Sequence, residues 1–224
     1  MRILRLAALT GCLCVRPAAA QLCTGFAPFT DGRYQASAAA AFTENAMGFG
    51  AGFAVGGKTP FGEVFLGSTS FDEPDGSSFT VSAGGGYQFQ LGTKGKVHVC
   101  PTADLSYTAG PNDVDIFGDG TYFLDFSELG FAFGVSLGFV AGQSPRSKIV
   151  PHASFDLVTS AITIDGALPS TPQSRTEFFG LLGLGVGIVL NRITLHPGVG
   201  IPIGLEGSSL SFGAAVGLNF GPGR

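Results

Sequence analysis

The run Gly48-Phe49-Gly50-Ala51-Gly52-Phe53-Ala54-Val55-Gly56 decides the fold. Phe49, Ala51, Phe53 and Val55 fall on one parity, and glycine or alanine fills the other. Successive side chains of a strand point to opposite faces, so a period of two marks a β-strand. A strand with one face in water would carry lysine, glutamate or arginine on its second parity. Charged residues make up only 12% of the chain, and mean hydropathy is +0.36. The economical reading is all-β: a single transmembrane antiparallel up-and-down β-barrel, with lipid outside and small residues lining the lumen.

The pattern recurs along the chain and gives about ten strands, with eight as the alternative count. They run roughly over 33–43, 46–56, 61–71, 78–91, 96–108, 127–141, 147–160, 176–190, 192–204 and 209–220. Each is about the length that crosses a thin outer membrane at ~45° tilt. In the sixth, Leu129, Phe131, Phe133, Val135, Leu137 and Phe139 alternate with Gly130, Ala132, Gly134, Ser136 and Gly138. The fourth and the last repeat this pattern, the fourth from Phe79 to Leu91 and the last from Leu210 to Phe220. The third departs from it, because Phe61, Phe65 and Phe71 share a parity with Glu63, which a bulge would reconcile. Pro101, Pro151, Pro197 and Pro202 fall inside strands, where a missing ladder donor implies a bulge or a rim position.

The connections alternate in length. Gly57–Pro60, Gly92–Gly95, Gly142–Ser147 and Asn191–Arg192 are tight, whereas Ala109–Phe126 and Ala161–Arg175 read as long loops. Bacterial outer-membrane barrels have short periplasmic turns and longer external loops. Charge sorts the same way. Lys58, Lys94, Lys96, Arg146, Lys148 and Arg192 sit at the tight turns, while Glu44, Asp72, Asp113, Asp125, Asp165 and Glu206 sit at the opposite ends. A soluble barrel has no reason to segregate charge by end. That rival would also turn its Phe, Val and Leu inward.

Residues 1–20 read as an export leader: Arg2 and Arg5, an apolar Leu6–Val15, then Ala18-Ala19-Ala20 before Gln21. Leu9-Thr10-Gly11-Cys12 resembles a lipoprotein lipobox, with only Leu6–Leu9 as its apolar core. Residues 21–31 form an N-terminal periplasmic segment or lumen plug, 32–220 the barrel and 221–224 a tail. Loss of the leader removes three of 12 bases against 16 acids, so nucleic acid is excluded as a partner. Cys23 and Cys100 are the two cysteines that stay with the mature chain, in an oxidising compartment.

Over nearly the whole mature chain the pattern resembles small bacterial outer-membrane barrels of the OmpA transmembrane-domain and OmpX kind. The resemblance implies a C-terminal strand read by the barrel-assembly machinery. Ser211, Gly213, Val216, Leu218 and Phe220 approximate that signal, with Gly221–Arg224 following it. Outer-membrane lipid and lipopolysaccharide are the expected surroundings; the sequence leaves the oligomeric state open, with a monomer favoured.

Inward positions near the closing seam are tiny: Ser37, Ala39 and Ala41, Gly48, Gly50 and Gly52, and Gly213, Ala215 and Gly217. Either tight curvature or an occupant of the lumen accounts for them. Residues 21–30 are too apolar to hang in water. Folding them into the lower lumen would bring Cys23 to Cys100, which is inward near the periplasmic rim, and a disulfide requires Cα atoms within ~7 Å. The remaining lumen-lining candidates are His98, Asp104, Glu128, His152, Asp156 and His196.

Three strand starts, Lys96 to Cys100, Lys148 to His152 and Arg192 to His196, repeat a base followed by apolar alternation. Cys100, His152 and His196 at equal depth invite a metal reading, but alternate strands hold them roughly 10 Å apart. We therefore expect no metal and no cofactor. His152-Ala153-Ser154 has the His-x-Ser spacing of outer-membrane lipid A deacylases, but faces inward and lacks their continuation, so no catalytic residue is expected. Asn112–Gly120 resembles part of a calcium loop in which Phe117 occupies a ligand position. The expected function is a structural or narrow-pore barrel in the outer membrane of a diderm bacterium, not an enzyme. A surface ligand-binding or adhesion barrel is the alternative, and a lipid-modifying hydrolase stands behind it.

Overall fold

The computed structural model describes residues 22–26, 33–57, 59–72, 76–92, 96–111, 114–115, 123–144, 147–166, 173–205 and 209–222. The leader and most of the calcium-like loop lie outside these residues. Ten strands form the wall: β1 (Tyr34–Phe42), β2 (Ala46–Gly56), β3 (Pro60–Phe71), β4 (Gly76–Tyr87), β5 (Val97–Ala109), β6 (Phe123–Phe139), β7 (Ser147–Gly166), β8 (Gln173–Leu190), β9 (Ile193–Ile203) and β10 (Ser211–Phe220). Phe89–Leu91 prolongs β4 along β5, Val114–Asp115 pairs with β6, and Gly142–Gln143 pairs with β7. Each strand pairs antiparallel with the next, and β10 pairs with β1 from Tyr34↔Phe220 to Phe42↔Phe212. The ring is closed, so it has no free sheet edge.

The alternation read in the sequence becomes an inside and an outside. On β6, Leu129, Phe131, Phe133, Val135, Leu137 and Phe139 are exposed, Phe133 at 56% of its surface. Gly130, Ala132, Gly134, Ser136 and Gly138 between them are buried. Around the ring most large apolar side chains point out, and polar ones such as Gln35, Thr80, Asp156, Glu177, Thr194 and Asn219 are buried inside. A soluble barrel would show the reverse. At the turn end Tyr34, Phe53 and Phe220 cluster outside, with ring centroids 5.8 to 6.3 Å apart, and Tyr87 and Phe89 pack at 4.8 Å.

Three expectations need correction. β3 has no bulge, since its register is continuous from Pro60↔Tyr87 to Phe71↔Gly76 and from Ala46↔Phe71 to Gly56↔Phe61. Phe61 and Phe71 are buried inside the barrel. Their neighbours are glycine and alanine on β2 and β4, which leave the volume the rings fill. The segment 161–175 is mainly strand, because β7 runs to Gly166 and β8 starts at Gln173, paired through Ile164↔Gln173. β6 likewise starts at Phe123, so the loop before it is shorter than expected.

Each strand proline sits where the ladder yields. The β4–β5 pairing skips the residues opposite Pro101 and Cys100, and the β8–β9 pairing skips those opposite Pro197 and His196. At Pro151 the register slips by one, so that Phe139, Val140 and Ala141 stand opposite Val150 and Pro151. Pro202 lies near the loop end of β9.

Candidate functional site

The site is the lumen at the end of the tight turns, where the chain's own N-terminal segment enters the ring. Leu22–Thr24 forms a single turn of 3-10 helix, and Cys23, Thr24, Gly25 and Phe26 are all buried. Cys23 is joined to Cys100 of β5 by a disulfide with a Cα–Cα distance of 6.0 Å. Cys23, Cys100, Ala54 of β2 and Phe61 of β3 form one apolar cluster. A short segment of this kind could not stay folded alone. The covalent tie and the wall around it hold it in place.

Beyond the disulfide, Gly25 turns the segment with a φ of +83°, in the left-handed region where glycine is favoured. Its backbone abuts two imidazoles: a Cβ there would stand 2.8 Å from His152 Nδ1 and 2.8 Å from His196 Cδ2. Phe26 has no exposed surface and stacks on His196 with ring centroids 4.9 Å apart. The wall is shaped for this approach. A Cβ at Gly187 of β8 would fall on the Gly25 carbonyl oxygen, and one at Gly217 of β10 would stand 3.0 Å from the Phe26 ring. These small residues therefore make room for an occupant.

His152 and His196 meet. Their Nε2 atoms are 3.1 Å apart and their ring centroids 4.6 Å apart. This corrects the expected separation of about two strand spacings. β8 runs between them, but its inward residues here are Gly185 and Gly187, and a Cβ at 185 would stand 2.5 Å from His152 Cε1. The rings therefore lean across β8 and touch. One Nε2 donates and the other accepts, which requires opposite tautomers in the neutral pair. The Nδ1 atoms of both rings have no hydrogen-bond partner among the described residues.

The other sequence candidates do not join this contact. Cys100 is spent in the disulfide, and among the described residues no three His, Cys, Asp or Glu side chains stand close enough to hold a metal ion. His98 faces inward across Gly138 from His152 and is buried. Asp104 and Asp156 lie farther up the lumen, their carboxylates lying over Gly84 and Gly134. Glu128 accepts a 2.5 Å hydrogen bond from Ser160 near the loop end. Glu177 pairs there with Arg175 at 3.2 Å. Ser154 packs over Gly183, while His152 Nε2 is engaged by His196.

Sequence reasoning placed residues 21–30 in the lower lumen with Cys23 on Cys100, but it did not single out Gly25 and Phe26 within that segment, nor Gly185 and Gly187 as the wall that receives them. The one signal available was the apolar character of residues 21–30.

No family model and no curated protein matches the sequence. Solved structures do match. The translocator domain of the autotransporter NalP from Neisseria meningitidis has a TM-score of 0.50 at 13% identity, over 84% of this chain and 87% of that one. The N-terminal β-barrel domain of Pseudomonas aeruginosa OprF matches at 14% identity and a TM-score of 0.36, over 84% and 96% of the two chains. The KdgM porin matches at 5% identity and a TM-score of 0.39, over 84% and 99%. At these identities the likeness is one of fold, and the fold is that of the outer-membrane β-barrels.

Proposed function

We propose that the chain is a narrow pore of a bacterial outer membrane, stoppered from the periplasmic end by its own N-terminal segment. The observation that carries this is the lumen wall, whose glycines accept Gly25 and Phe26 while Cys100 ties the segment down. The outward belt of Phe, Leu and Val fits lipid, and the aromatic cluster at the turn end fits the girdle at a membrane interface. By that reading the tight turns face the periplasm, and an export leader and the barrel-assembly machinery precede insertion. The barrel works as a monomer among lipid and lipopolysaccharide, without a cofactor. It is not an enzyme in this reading, because His152 is held by His196 and abutted by Gly25 rather than poised on Ser154.

The test is planar-bilayer conductance of the refolded chain from residue 21 to 224. The oxidised protein should be nearly silent, and a variant lacking residues 22–26 should show discrete steps. Silence in both would overturn the pore and leave a purely structural barrel. Equal conductance in both would show that the segment does not obstruct the lumen.

A further inference from the structure

The geometry points to the His152–His196 pair as an acid-sensitive latch on the N-terminal stopper. This rests on the reading of residues 22–26 as a stopper but does not require that the open barrel conduct. The pair is pinned from one side by the stopper itself: Gly25 abuts both rings and Phe26 stacks on His196. It is pinned from the other side by the close floor of Gly185. With the stopper seated, the rings have one workable arrangement, with their Nε2 atoms 3.1 Å apart.

That arrangement needs a lone pair on one Nε2 and a hydrogen on the other. Adding a proton to each ring removes the acceptor and sets two cations in contact, in surroundings where water is largely excluded. One ring must then swing away. Gly25 and Phe26 fill the space directly beside the rings, so a swing to that side displaces them. A withdrawn stopper frees both rings to take up a proton each. The seated state therefore binds fewer protons than the withdrawn one, and acid favours withdrawal. The disulfide keeps Cys23 attached to β5 throughout, so the motion is a hinged release of Gly25 and Phe26 and is reversible.

Other groups face the pair from the neighbouring elements. The N-terminal segment, β8 and β10 present Thr24, Gly185, Gly187, Ala215 and Gly217, which do not titrate. β5 presents His98, across Gly138. Lys148 and Asp156 share the inward parity of His152 at four residues either side, about 13 Å along the strand. Asp104 is farther up β5. A shared metal ion is the other use for two facing Nε2 atoms. Among the described residues, no group of three His, Cys, Asp or Glu side chains stands close enough to complete such a site.

The chain contains no tryptophan, so Phe26→Trp supplies a single indole beside the latch, excited selectively beyond the absorption of the four tyrosines. The experiment follows its emission and its quenching by iodide in the full mature protein, from about pH 8 to about pH 3.5. With both histidines present, emission should move from buried to water-exposed on acidification and return on neutralisation. In the same chain with His152→Gln and His196→Gln, it should stay buried across the range. A shift of equal size in the Gln variant, or no shift with the histidines present, overturns the latch. Should Trp not fit the Phe26 socket, amide hydrogen exchange of residues 22–26 in the unaltered chain, corrected for intrinsic rates, reads the same equilibrium. Several-fold faster exchange in acid with the histidines, and not with glutamines, is the expected result. Both readouts follow the stopper and not current, so a barrel that never conducts still tests the latch.

Discussion

Gly187 shows how much of this site is decided by single atoms. A methyl group there would occupy the position of the Gly25 carbonyl oxygen, so Gly187→Ala should push the stopper off the wall. The expected cost is about 1–3 kcal/mol, as for other overpacked interiors. Urea titration of the vesicle-inserted protein measures it, and a partner variant isolates the cause. In the chain lacking residues 22–26 the same substitution should be nearly neutral, because the clash has lost one partner. Gly57→Ala is the control, since a Cβ at 57 meets nothing within 4 Å. Equal losses with and without the segment would mean that Gly187 serves strand curvature. Phe65 makes the same point on β3, where a Cβ at Gly50 would overlap its ring. Phe61 likewise relies on Gly86, where a Cβ would stand 2.7 Å from its ring.

At the scale of the strand, the alternation carries the energetics of insertion. Phe133 is exposed on the outer face of β6, in the middle of its apolar run. Phe133→Arg should destabilise the vesicle-inserted barrel by about 2–4 kcal/mol if that face meets the bilayer centre. A loss below ~0.5 kcal/mol in urea titration would place the residue in water. The same alternation explains what could be read beforehand. A strand inside the lipid belt has one apolar parity, and its period survives without any knowledge of its neighbours. Beyond the belt that contrast fades. Thr163, Asp165, Ser174 and Thr176 give the upper β7–β8 hairpin no apolar outer face, so it reads as a loop in the sequence. The inward parity of Phe61, Phe65 and Phe71 looked like an error for a different reason. Its justification lies on β2 and β4, and non-local complementarity leaves no mark in a single strand. The contact of His152 with His196 was hidden likewise, because it depends on Gly185 between them and on which way two rings lean.

Across the whole molecule, charge is arranged along the barrel axis as well as around it. Arg33, Lys96, Lys148 and Arg192 stand at the turn end, and Glu44, Asp72, Asp125 and Asp165 at the loop end. The inner wall adds Glu63, Asp104, Glu128, Asp156 and Glu177, against Arg175, which is paired with Glu177, and Lys148 at the turn-end rim. A lumen walled by one sign of charge in low-dielectric surroundings concentrates the opposite ion. With the stopper removed, the passage should therefore prefer cations. The measurement is the reversal potential of the variant lacking residues 22–26, under a potassium chloride gradient at neutral pH. A several-fold preference for potassium over chloride is expected. Asp104→Asn together with Asp156→Asn should reduce it, since both carboxylates lie on the inner wall, over Gly84 and Gly134. High salt should weaken the preference by screening. An anion-selective lumen, or a preference untouched by the two substitutions, would assign the field to the rims, and the acidic wall would then serve only to hydrate the passage.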